Sequence, residues 1–387
     1  MKFPGPSPTA PGRDASEPTT ALLHLEDGVA RFASGDLEGA IAAWERAIAA
    51  DAALGHAWSN LGRARERAGR HDEAVASFRR AIELRDEDDH EAWLELGNAE
   101  DSRGESWAAI EAFRRAVAIK PDFVEAWNNL GNAWVHVGRP DDAVAAYERA
   151  LGIDPEACEC WFNLGTVRAD RGDFEGAKRC FVRSLEIEPI APQVWFNLGF
   201  AHDGLRQPLA AAEAYRRAAD LDPYEYEIWY NLGNAWAELG RLEDAAHAYR
   251  TALARQDGDP EVWNNLGNAL LESCERAEAV RCFRRALAID PSYDLSWNNL
   301  GNALEDEGRL EEATEAYEKA VELAPDRSTY RLNLASALAR TRQVESAIRH
   351  LARAVALAPD IRGLLPGFAE FGPLLSDPRF SDDGGGR

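Results

Sequence analysis

The sequence predicts an all-α protein built from about ten repeated helix hairpins, and three observations carry this prediction. The octapeptide WNNLGNAL occurs at 263–270 and again at 297–304, and near copies begin at residues 127 and 229. Eight tryptophans follow one another at an interval of 35 residues once and of 34 residues six times. Apolar residues recur at helical spacing on two segments of each period. Such a pattern indicates a solenoid in which each repeat contacts mainly its neighbours.

The positions of each repeat are numbered so that the recurring tryptophan occupies position 4. Position 7 is then leucine in nine repeats, position 8 is glycine in nine, position 20 is alanine in all ten, and position 24 is aromatic in nine. The frame predicts a disordered, proline-rich leader at 1–20, the array at 21–361, and a capping segment with a flexible tail at 362–387. Repeats 1 to 10 are 21–54, 55–88, 90–123, 124–157, 158–191, 192–225, 226–259, 260–293, 294–327 and 328–361.

Each repeat is expected to form two helices. Positions 4, 7, 8 and 11 make the apolar face of the first helix, and positions 20, 24, 27 and 28 make that of the second. Glycine at position 8 costs about 1 kcal/mol of helix propensity, so its recurrence predicts close contact between the two helices. The tryptophan and the position-24 ring are expected to fill the space between successive repeats. Proline at position 32, present in seven repeats, ends the second helix.

This pattern resembles the tetratricopeptide repeat (TPR) family over residues 21–361. The end repeats are degenerate, since His24 and Asp27 replace tryptophan and leucine in the first and Arg331 replaces tryptophan in the last. The resemblance, to long superhelical peptide-binding arrays, implies a right-handed α-solenoid. Its first helices would line a concave groove and its second helices would form the convex back. It also implies a scaffold or adaptor that holds other proteins or peptides.

Composition narrows the class of partner. The chain of 387 residues carries 43 basic and 67 acidic residues, a net charge of −24. This charge argues against nucleic acid, whose binding needs clustered cations, and against an anionic membrane surface. No apolar run approaches the length of a membrane span. The five cysteines are an odd number in a large chain, which favours a reducing compartment and predicts a cytoplasmic location.

No motif for catalysis, cofactor binding or metal binding is found, so the sequence predicts a protein that is not an enzyme and has no cofactor or metal. The one close cysteine pair, Cys158 and Cys160, lies two residues apart on a predicted helix. The two side chains would point about 200° apart around the axis. They are expected to fill small apolar spaces rather than to bind zinc.

The side of the first helix opposite its core positions holds positions 2, 5, 9, 12 and 13, which are predicted to face the groove. In repeats 2–10 these positions hold 13 acidic residues at positions 2, 12 and 13, against three arginines. Position 26 of the second helix is instead Arg or Lys in nine repeats, which argues against uniform acidity, although that remains the alternative. The acidic groove favours a basic partner. The candidate binding acids at position 2 include Glu159, Glu227 and Glu261.

Two further features suggest how a partner could be held. Asparagine recurs at position 6, and its amide can both donate to and accept from a peptide backbone; filler residues of the repeat pattern are the alternative. Aromatic residues occupy position 5 in three successive repeats, with another one turn later, which suggests a binding hot spot, although aromatics are ordinary there. The residues are Asn129, Asn163, Asn197, Asn231, Asn265 and Asn299, with Phe162, Phe196, Phe200 and Tyr230.

The sequence therefore predicts a cytoplasmic, non-catalytic scaffold that binds a basic or basic–apolar segment of a partner in an acidic groove. One alternative is an architectural subunit of a larger complex, bound through its edges or through the arginines of its convex face. Another is the binding arm of an enzyme whose catalytic chain is separate.

Overall fold

The computed structural model describes residues 20–84 and 89–377. The predicted leader lies outside these ranges except for Thr20, which begins the first helix, and residues 378–387 of the predicted tail also lie outside them. The described residues form 21 α-helices and three 3-10 helices and contain no strand. The predicted all-α class is confirmed.

Every repeat contributes two consecutive helices, and each first helix packs against the second helix of its own repeat. The first helices are α1 (Thr20–Ala33), α3 (Gly55–Arg67), α5 (His90–Ser102), α7 (Val124–His136), α9 (Cys158–Asp170), α11 (Pro192–Gly204), α13 (Tyr226–Glu238), α15 (Pro260–Glu272), α17 (Asp294–Asp306) and α19 (Ser328–Arg340). The second helices are α2 (Leu37–Ala50), α4 (His71–Leu84), α6 (Ser106–Ile119), α8 (Pro140–Ile153), α10 (Phe174–Ile187), α12 (Pro208–Leu221), α14 (Leu242–Leu253), α16 (Arg276–Ile289), α18 (Leu310–Leu323) and α20 (Val344–Leu357).

The chain divides into two compact units, one ending at Glu188 and the other beginning at Pro189. The N-terminal unit contains α1 to α10, and the C-terminal unit contains α11 to α20. Within each unit the hairpins pack in chain order, so that the second helix of one repeat contacts the first helix of the next. This succession of helix pairs is the packing of a TPR array, as predicted.

Glycine at position 8 lies directly under the position-24 ring of its own repeat. A Cβ built on Gly131 would lie 2.4 Å from the ring of Tyr147, and one on Gly267 would lie 2.6 Å from the ring of Phe283. Both distances are too short for a side chain, so the glycine permits the close contact of the two helices. We expected this ring to fill the space between successive repeats. That expectation is incomplete, because the ring also packs against the glycine of its own repeat.

The position-4 tryptophan is half-buried and ties its helix to the preceding loop. The indole Nε1 of Trp161 donates to the carbonyl of Pro155 at 2.9 Å, and that of Trp297 donates to the carbonyl of Pro291 at 2.9 Å. In the degenerate last repeat Arg331 Nε donates to the carbonyl six residues earlier at 2.7 Å. Since a guanidinium supplies the same N–H, the last repeat keeps this bond without tryptophan.

The turn between the two helices needs one residue with left-handed backbone. In seven repeats that residue is a glycine with φ between 70° and 85°. In three repeats it has a side chain, at Arg206 (φ 56°), Cys274 (φ 65°) and Arg342 (φ 63°). A residue with a Cβ pays about 1–2 kcal/mol for this conformation, so these three turns carry local strain.

A C-terminal segment covers the last repeat. It consists of the 3-10 helices Pro359–Gly363, Leu365–Gly367 and Ala369–Phe371 and the short helix α21 (Gly372–Leu375). Leu365, Phe371 and Leu374 are buried in one apolar cluster with residues of the last repeat. Ser336 Oγ, on α19, also donates to Glu370 Oε1 at 2.6 Å. This arrangement is consistent with a cap on the last repeat, which stays a prediction.

Candidate binding face

The candidate binding face comprises positions 2, 6, 9 and 13 of the first helices and the partly exposed residues of position 5. The position-2 acids Glu159, Glu227 and Glu261 are exposed, as expected. Position 5 differs, because Asn128 is only 5% exposed and Asn264 is fully buried. The three aromatics at position 5 are half-buried. The prediction that position 5 faces solvent is therefore wrong for these asparagines, and the aromatic residues are only partly exposed.

Packing between neighbouring repeats explains the burial of position 5. Asn264 Oδ1, on α15, accepts hydrogen bonds from Ser296 Oγ at 3.0 Å and from Asn299 Nδ2 at 3.1 Å, both on α17. A first helix is thus covered by the first helix of the next repeat as well as by its own second helix. The side of the first helix that faces away from its own second helix is therefore partly buried by the next repeat. Helical phase alone had predicted that this whole side is exposed.

Most position-6 asparagines are engaged in bonds between repeats rather than left open to a ligand. The amide Nδ2 of each donates to an asparagine Oδ1 at position 5 or position 9 of the preceding repeat. These bonds form the amide ladder. Its bonds run from Asn129 to Asn98 (2.9 Å), from Asn163 to Asn128 (3.0 Å) and Asn132 (3.2 Å), from Asn265 to Asn234 (3.4 Å), from Asn299 to Asn264 (3.1 Å) and Asn268 (3.0 Å), and from Asn333 to Asn298 (2.9 Å) and Asn302 (3.4 Å).

Two of the predicted asparagines are outside the ladder. Among described residues, Asn197 and Asn231 make one side-chain hydrogen bond each, to the carbonyl one turn earlier in their own helices at 2.8 and 2.9 Å. For Asn231 the two acceptor positions of the preceding repeat hold Phe196 and Phe200. A phenyl ring has no oxygen to accept a hydrogen bond from the Asn231 amide. The amide donates instead to the carbonyl of Glu227 in its own helix. Its oxygen is left as an acceptor on the binding face.

The predicted aromatic residues lie in both units. In the N-terminal unit, Phe162 packs on Phe181 with ring centroids 6.1 Å apart. In the C-terminal unit, Phe196 packs on Tyr215 at 5.6 Å, and Phe200 is 45% exposed. Each position-5 ring thus rests on the buried position-24 ring of its own repeat. Such a rigid base favours recognition, because the ring loses little freedom when a partner binds.

Tyr230 belongs to a tyrosine–carboxylate cluster that the sequence analysis missed. Its ring lies parallel to that of Tyr226, with centroids 6.2 Å apart. Its hydroxyl donates to Glu261 Oε1 at 2.8 Å, and the Tyr226 hydroxyl donates to Asp259. Burial is the main cause that raises the pKa of Tyr230 to about 12, with Glu261 adding to it. The spacing of four residues between the two tyrosines was the available signal.

The position-24 tyrosine also responds to the change at position 9. In repeat 4 the Tyr147 hydroxyl donates to Asn132 Oδ1 at 2.6 Å. In repeat 6 position 9 is Phe200, and the Tyr215 hydroxyl donates instead to Asp203 Oδ2 at 2.7 Å. Burial raises the pKa of Asp203, although the bond from Tyr215 acts in the opposite direction.

The acidic residues of the face influence one another in the N-terminal unit. The pKa of the Glu125 carboxyl is raised, first by burial and then by the neighbouring charges of Glu95 and Glu159. These residues lie on three successive first helices. Glu125 therefore lies near negative charge from both neighbouring repeats, although Arg63 already pairs with Glu95 at 2.7 Å.

The second helices do not present a bare positive surface. Arg183 Nη2, at position 26, lies 2.5 Å from Glu156 Oε1. The corresponding Lys319 Nζ lies 2.7 Å from Glu322 Oε2, and Arg285 Nη2 lies 3.4 Å from Asp257 Oδ2. Much of this positive charge is therefore matched by acids of the same repeat or of the preceding loop.

The two close cysteines bond to different partners. Cys158 Sγ lies 3.5 Å from Glu188 Oε2, and the buried Cys160 Sγ lies 3.4 Å from Asn128 Oδ1. Burial raises the pKa of Cys160 to about 12, which keeps it a thiol. Across residues 20–84 and 89–377, no group of three or more His, Cys, Asp or Glu is placed to hold a metal ion. No helix in those ranges is long and apolar enough to span a membrane.

Comparison with known proteins gives family matches along most of the array. Residues 54–122 and 94–157 match two models of the tetratricopeptide repeat. Residues 157–363, more than half of the chain, match the model described as the cilia and flagella-associated protein 70 C-terminal domain. No curated protein matches the chain.

Several solved structures are similar in fold. The C-terminal part of a TPR repeat-containing protein from Cytophaga hutchinsonii is 14% identical, with a TM-score of 0.53 over 62% of this chain and 98% of that one. YrrB, described as a TPR protein with an unusual peptide-binding site, is 24% identical, with a TM-score of 0.46 over 48% and 96%. PilF of Pseudomonas aeruginosa is 17% identical, with a TM-score of 0.46 over 54% and 94%. The repeat pattern, the packed helix pairs and the family matches together show that this chain belongs to the tetratricopeptide repeat family.

Proposed function

We propose that this protein-interaction scaffold binds a basic or basic–apolar segment of a partner on the first-helix face of its C-terminal unit. The centre of the proposed site is formed by Phe196, Phe200 and Tyr230, with the amides of Asn197 and Asn231. Glu227 and Glu261 supply negative charge beside them. The proposal includes no catalysis, and it makes the partner a protein rather than a nucleic acid.

The observation that carries the proposal is the break in the amide ladder. Asn129, Asn163, Asn265 and Asn299 hold neighbouring repeats together, so we assign them first to stability. Within the described C-terminal unit, Asn197 and Asn231 bond to carbonyls of their own helices, so their amide oxygens can accept from a peptide N–H. The break coincides with three aromatic residues on adjacent first helices of one unit. Amide acceptors, aromatic rings and carboxylates together suit a segment with both cationic and apolar side chains.

The N-terminal unit offers a weaker version of the same surface. Phe162 is half-buried on Phe181, and Glu159 is exposed one turn earlier on the same helix. The neighbouring Asn163 is engaged with two asparagines of the preceding repeat. We propose that this unit contributes mainly charge to the encounter with a basic partner, because attraction between oppositely charged surfaces raises association rates. The cytoplasmic location remains part of the proposal and is supported by five free cysteines.

Site-specific photo-cross-linking tests which face holds the partner. p-Benzoylphenylalanine in place of Phe200 puts the probe on the first helix of repeat 6. The same residue in place of Leu209, which is 56% exposed, puts it on the second helix of that repeat. We expect cross-linking in extracts of the native host from residue 200 only, to a segment rich in arginine or lysine. The yield should fall as salt rises, because exposed charges are screened within about 8 Å at physiological ionic strength.

Cross-linking from residue 209 alone would contradict the proposal and favour the architectural alternative. A second measurement uses the captured segment. Replacing Phe196 and Tyr230 with alanine should weaken its binding by about 2 kcal/mol or more, as central aromatic anchors do. Because both rings are half-buried, we expect this double substitution also to lower the free energy of unfolding by about 2 kcal/mol. Charge reversal of Arg115 and Arg217 on second helices is the matched control and should leave the affinity nearly unchanged.

A further inference from the structure

A cavity of about 260 Å³ lies in the C-terminal unit between α11, the loop before α13 and the first turn of α13. Its lining includes Phe196, Asn197, Asp222, Glu225 and Glu227. The volume is below the roughly 300–1,000 Å³ of small-molecule sites. It is suited to one long side chain of a partner rather than to a whole ligand or a folded element.

The polar groups of this cavity are mainly hydrogen-bond acceptors. The three carboxylates can only accept when ionised. One of the two N–H groups of Asn197 Nδ2 donates to the carbonyl of Gln193, and the amide oxygen can accept from a ligand. Asp222 Oδ1 accepts from the backbone N–H of Tyr224 at 3.1 Å, which fixes the orientation of that carboxylate. Although the amides of Gln193 and Asn197 can also donate, the three carboxylates favour a side chain that brings several donors and a positive charge.

The carboxylates of this cavity also lack the cations that other loops receive. In repeats 5 and 8, the position-26 arginine pairs with an acid in the preceding loop, Arg183 with Glu156 and Arg285 with Asp257. In repeat 7, position 26 is Thr251. Within the described part of the chain, no Lys or Arg forms an ion pair with Asp222, Glu225 or Glu227.

The guanidinium of Arg255 contacts this loop without pairing with its carboxylates. Arg255 lies over the ring of Tyr224, 5.3 Å from its centroid, and donates to the carbonyl of Pro223 at 3.4 Å. Arg255 therefore bonds to the backbone of this loop and not to its carboxylates. Asp222, Glu225 and Glu227 can still bind a cation from a partner. Among these groups Phe196 gives the cavity an aromatic ring.

Resting on the proposed function, we infer that this cavity takes an arginine side chain of the bound segment. A guanidinium presents five N–H donors and no acceptor, and its plane can stack on the ring of Phe196 while it bonds to carboxylates. A lysine ammonium supplies the charge but neither the plane nor the fork of donors. The inference adds a residue-specific subsite to a face that otherwise selects only for positive charge.

Two labelled peptides of equal length test the inference with the full chain. One has the sequence Gly-Ser-Phe-Arg-Gly-Ser-Phe-Arg, and the other has citrulline, which has nearly the same shape and no charge, in place of arginine. Fluorescence anisotropy at low salt should show at least tenfold tighter binding of the arginine peptide. A third peptide with lysine should bind between the two.

Matched variants separate the cavity from general attraction to an acidic protein. Glu225→Gln with Glu227→Gln should weaken binding of the arginine peptide at least tenfold and leave little preference over citrulline. Glu213→Gln with Glu243→Gln removes the same charge from exposed positions on second helices of the same unit and should change binding less than twofold. Equal losses in the two pairs, or no preference for arginine in the unmodified chain, would overturn the inference.

The same experiments distinguish the two proposals. If residue 200 cross-links a basic segment while the peptides show no arginine preference, the cavity assignment fails and the proposed function stands. If neither peptide binds and residue 200 cross-links nothing, both fail. Thermal unfolding followed by circular dichroism should be similar for the two glutamine pairs, since all four carboxylates are exposed.

Discussion

Two parts of the C-terminal unit are built on the same frame but use their first helices differently. In repeats 8 and 9, Asn264, Asn268 and Asn299 bond across the two helices, and Asn264 is fully buried. In repeats 6 and 7, the positions of Asn264 and Asn268 are taken by Phe196 and Phe200. The amide of the next repeat then bonds within its own helix.

The comparison shows that a small change can convert a stabilising contact into an accessible surface. Both parts keep the glycine under a position-24 ring and the tryptophan bond to the preceding loop. Of the three positions that form the ladder bond, positions 5 and 9 of the first repeat differ between the two parts, while position 6 of the next repeat is asparagine in both and bonds differently. A repeat array can therefore place a binding site without altering its scaffold.

The largest expected difference concerns the buried amide. Replacing Asn264 with alanine removes the acceptor of the buried Ser296 hydroxyl and one of the two acceptors of Asn299. An unsatisfied buried polar group costs about 1–3 kcal/mol. We expect Asn264→Ala to lower the free energy of unfolding by about 2–3 kcal/mol, measured as a lower urea midpoint. A double-mutant cycle with Asn299→Ala should give a coupling of about 1 kcal/mol. Strictly additive effects would show that the ladder does not act as a connected network.

A second prediction tests whether the two parts share one scaffold. Arg206 closes the first helix of repeat 6 and Cys274 closes that of repeat 8, both with left-handed backbone. Arg206→Gly and Cys274→Gly should each raise stability by about 0.5–1 kcal/mol, because glycine relieves a strain of about 1–2 kcal/mol at some cost in chain entropy. Gly240→Ala, at the same turn of repeat 7, should lower stability by about 1 kcal/mol. A gain at only one of the two sites would mean that the scaffolds differ.

Much of this fold could be predicted from the sequence because its signals are repeated. The interval between the tryptophans defined the length of the repeat. The close contact of Gly131 with the ring of Tyr147 explains why glycine recurs at this position in spite of its low helix propensity. The repeat pattern did not reveal the role of Arg331. This residue replaces the recurring tryptophan but makes the same hydrogen bond to the preceding loop. A residue type can change while the donor that matters is kept.

The candidate site was less predictable because it depends on contacts between repeats. Helical phase placed Asn264 and Phe196 alike on a solvent-facing side, but the neighbouring first helix buries the first and half-covers the second. Phase describes one helix and contains no information about its neighbours. The break in the ladder is nevertheless present in the sequence, since Asn231 lacks an asparagine at the two matching positions 31 and 35 residues earlier.

A third prediction places Asn231 opposite Asn264. Asn231 bonds only to its own helix, and alanine is the better helix former by a few tenths of a kcal/mol. Asn231→Ala should therefore leave the free energy of unfolding within about 0.5 kcal/mol of the unmodified chain. Urea unfolding of this variant beside Asn264→Ala gives the contrast directly. A loss as large as that of Asn264→Ala would mean that an amide contact with the preceding repeat exists after all, and the comparison would fail.

The last prediction concerns Asp203, which accepts the Tyr215 hydroxyl where other repeats use asparagine. Burial raises the pKa of Asp203, so the folded chain favours the protonated carboxyl more than the unfolded chain does. The ionised carboxylate therefore lowers stability above the folded pKa, and this loss disappears as the pH falls below the ordinary value for aspartate. Asp203→Asn, whose amide oxygen can accept the same bond, should be more stable at neutral pH by less than about 1 kcal/mol. Thermal unfolding from pH 7 down to about pH 3.5 should show the advantage shrinking as the wild-type carboxyl takes up its proton. An advantage that grows on acidification would mean that the hydrogen bond from Tyr215 outweighs burial. The ionised carboxylate of Asp203 would then stabilise repeat 6 instead of destabilising it.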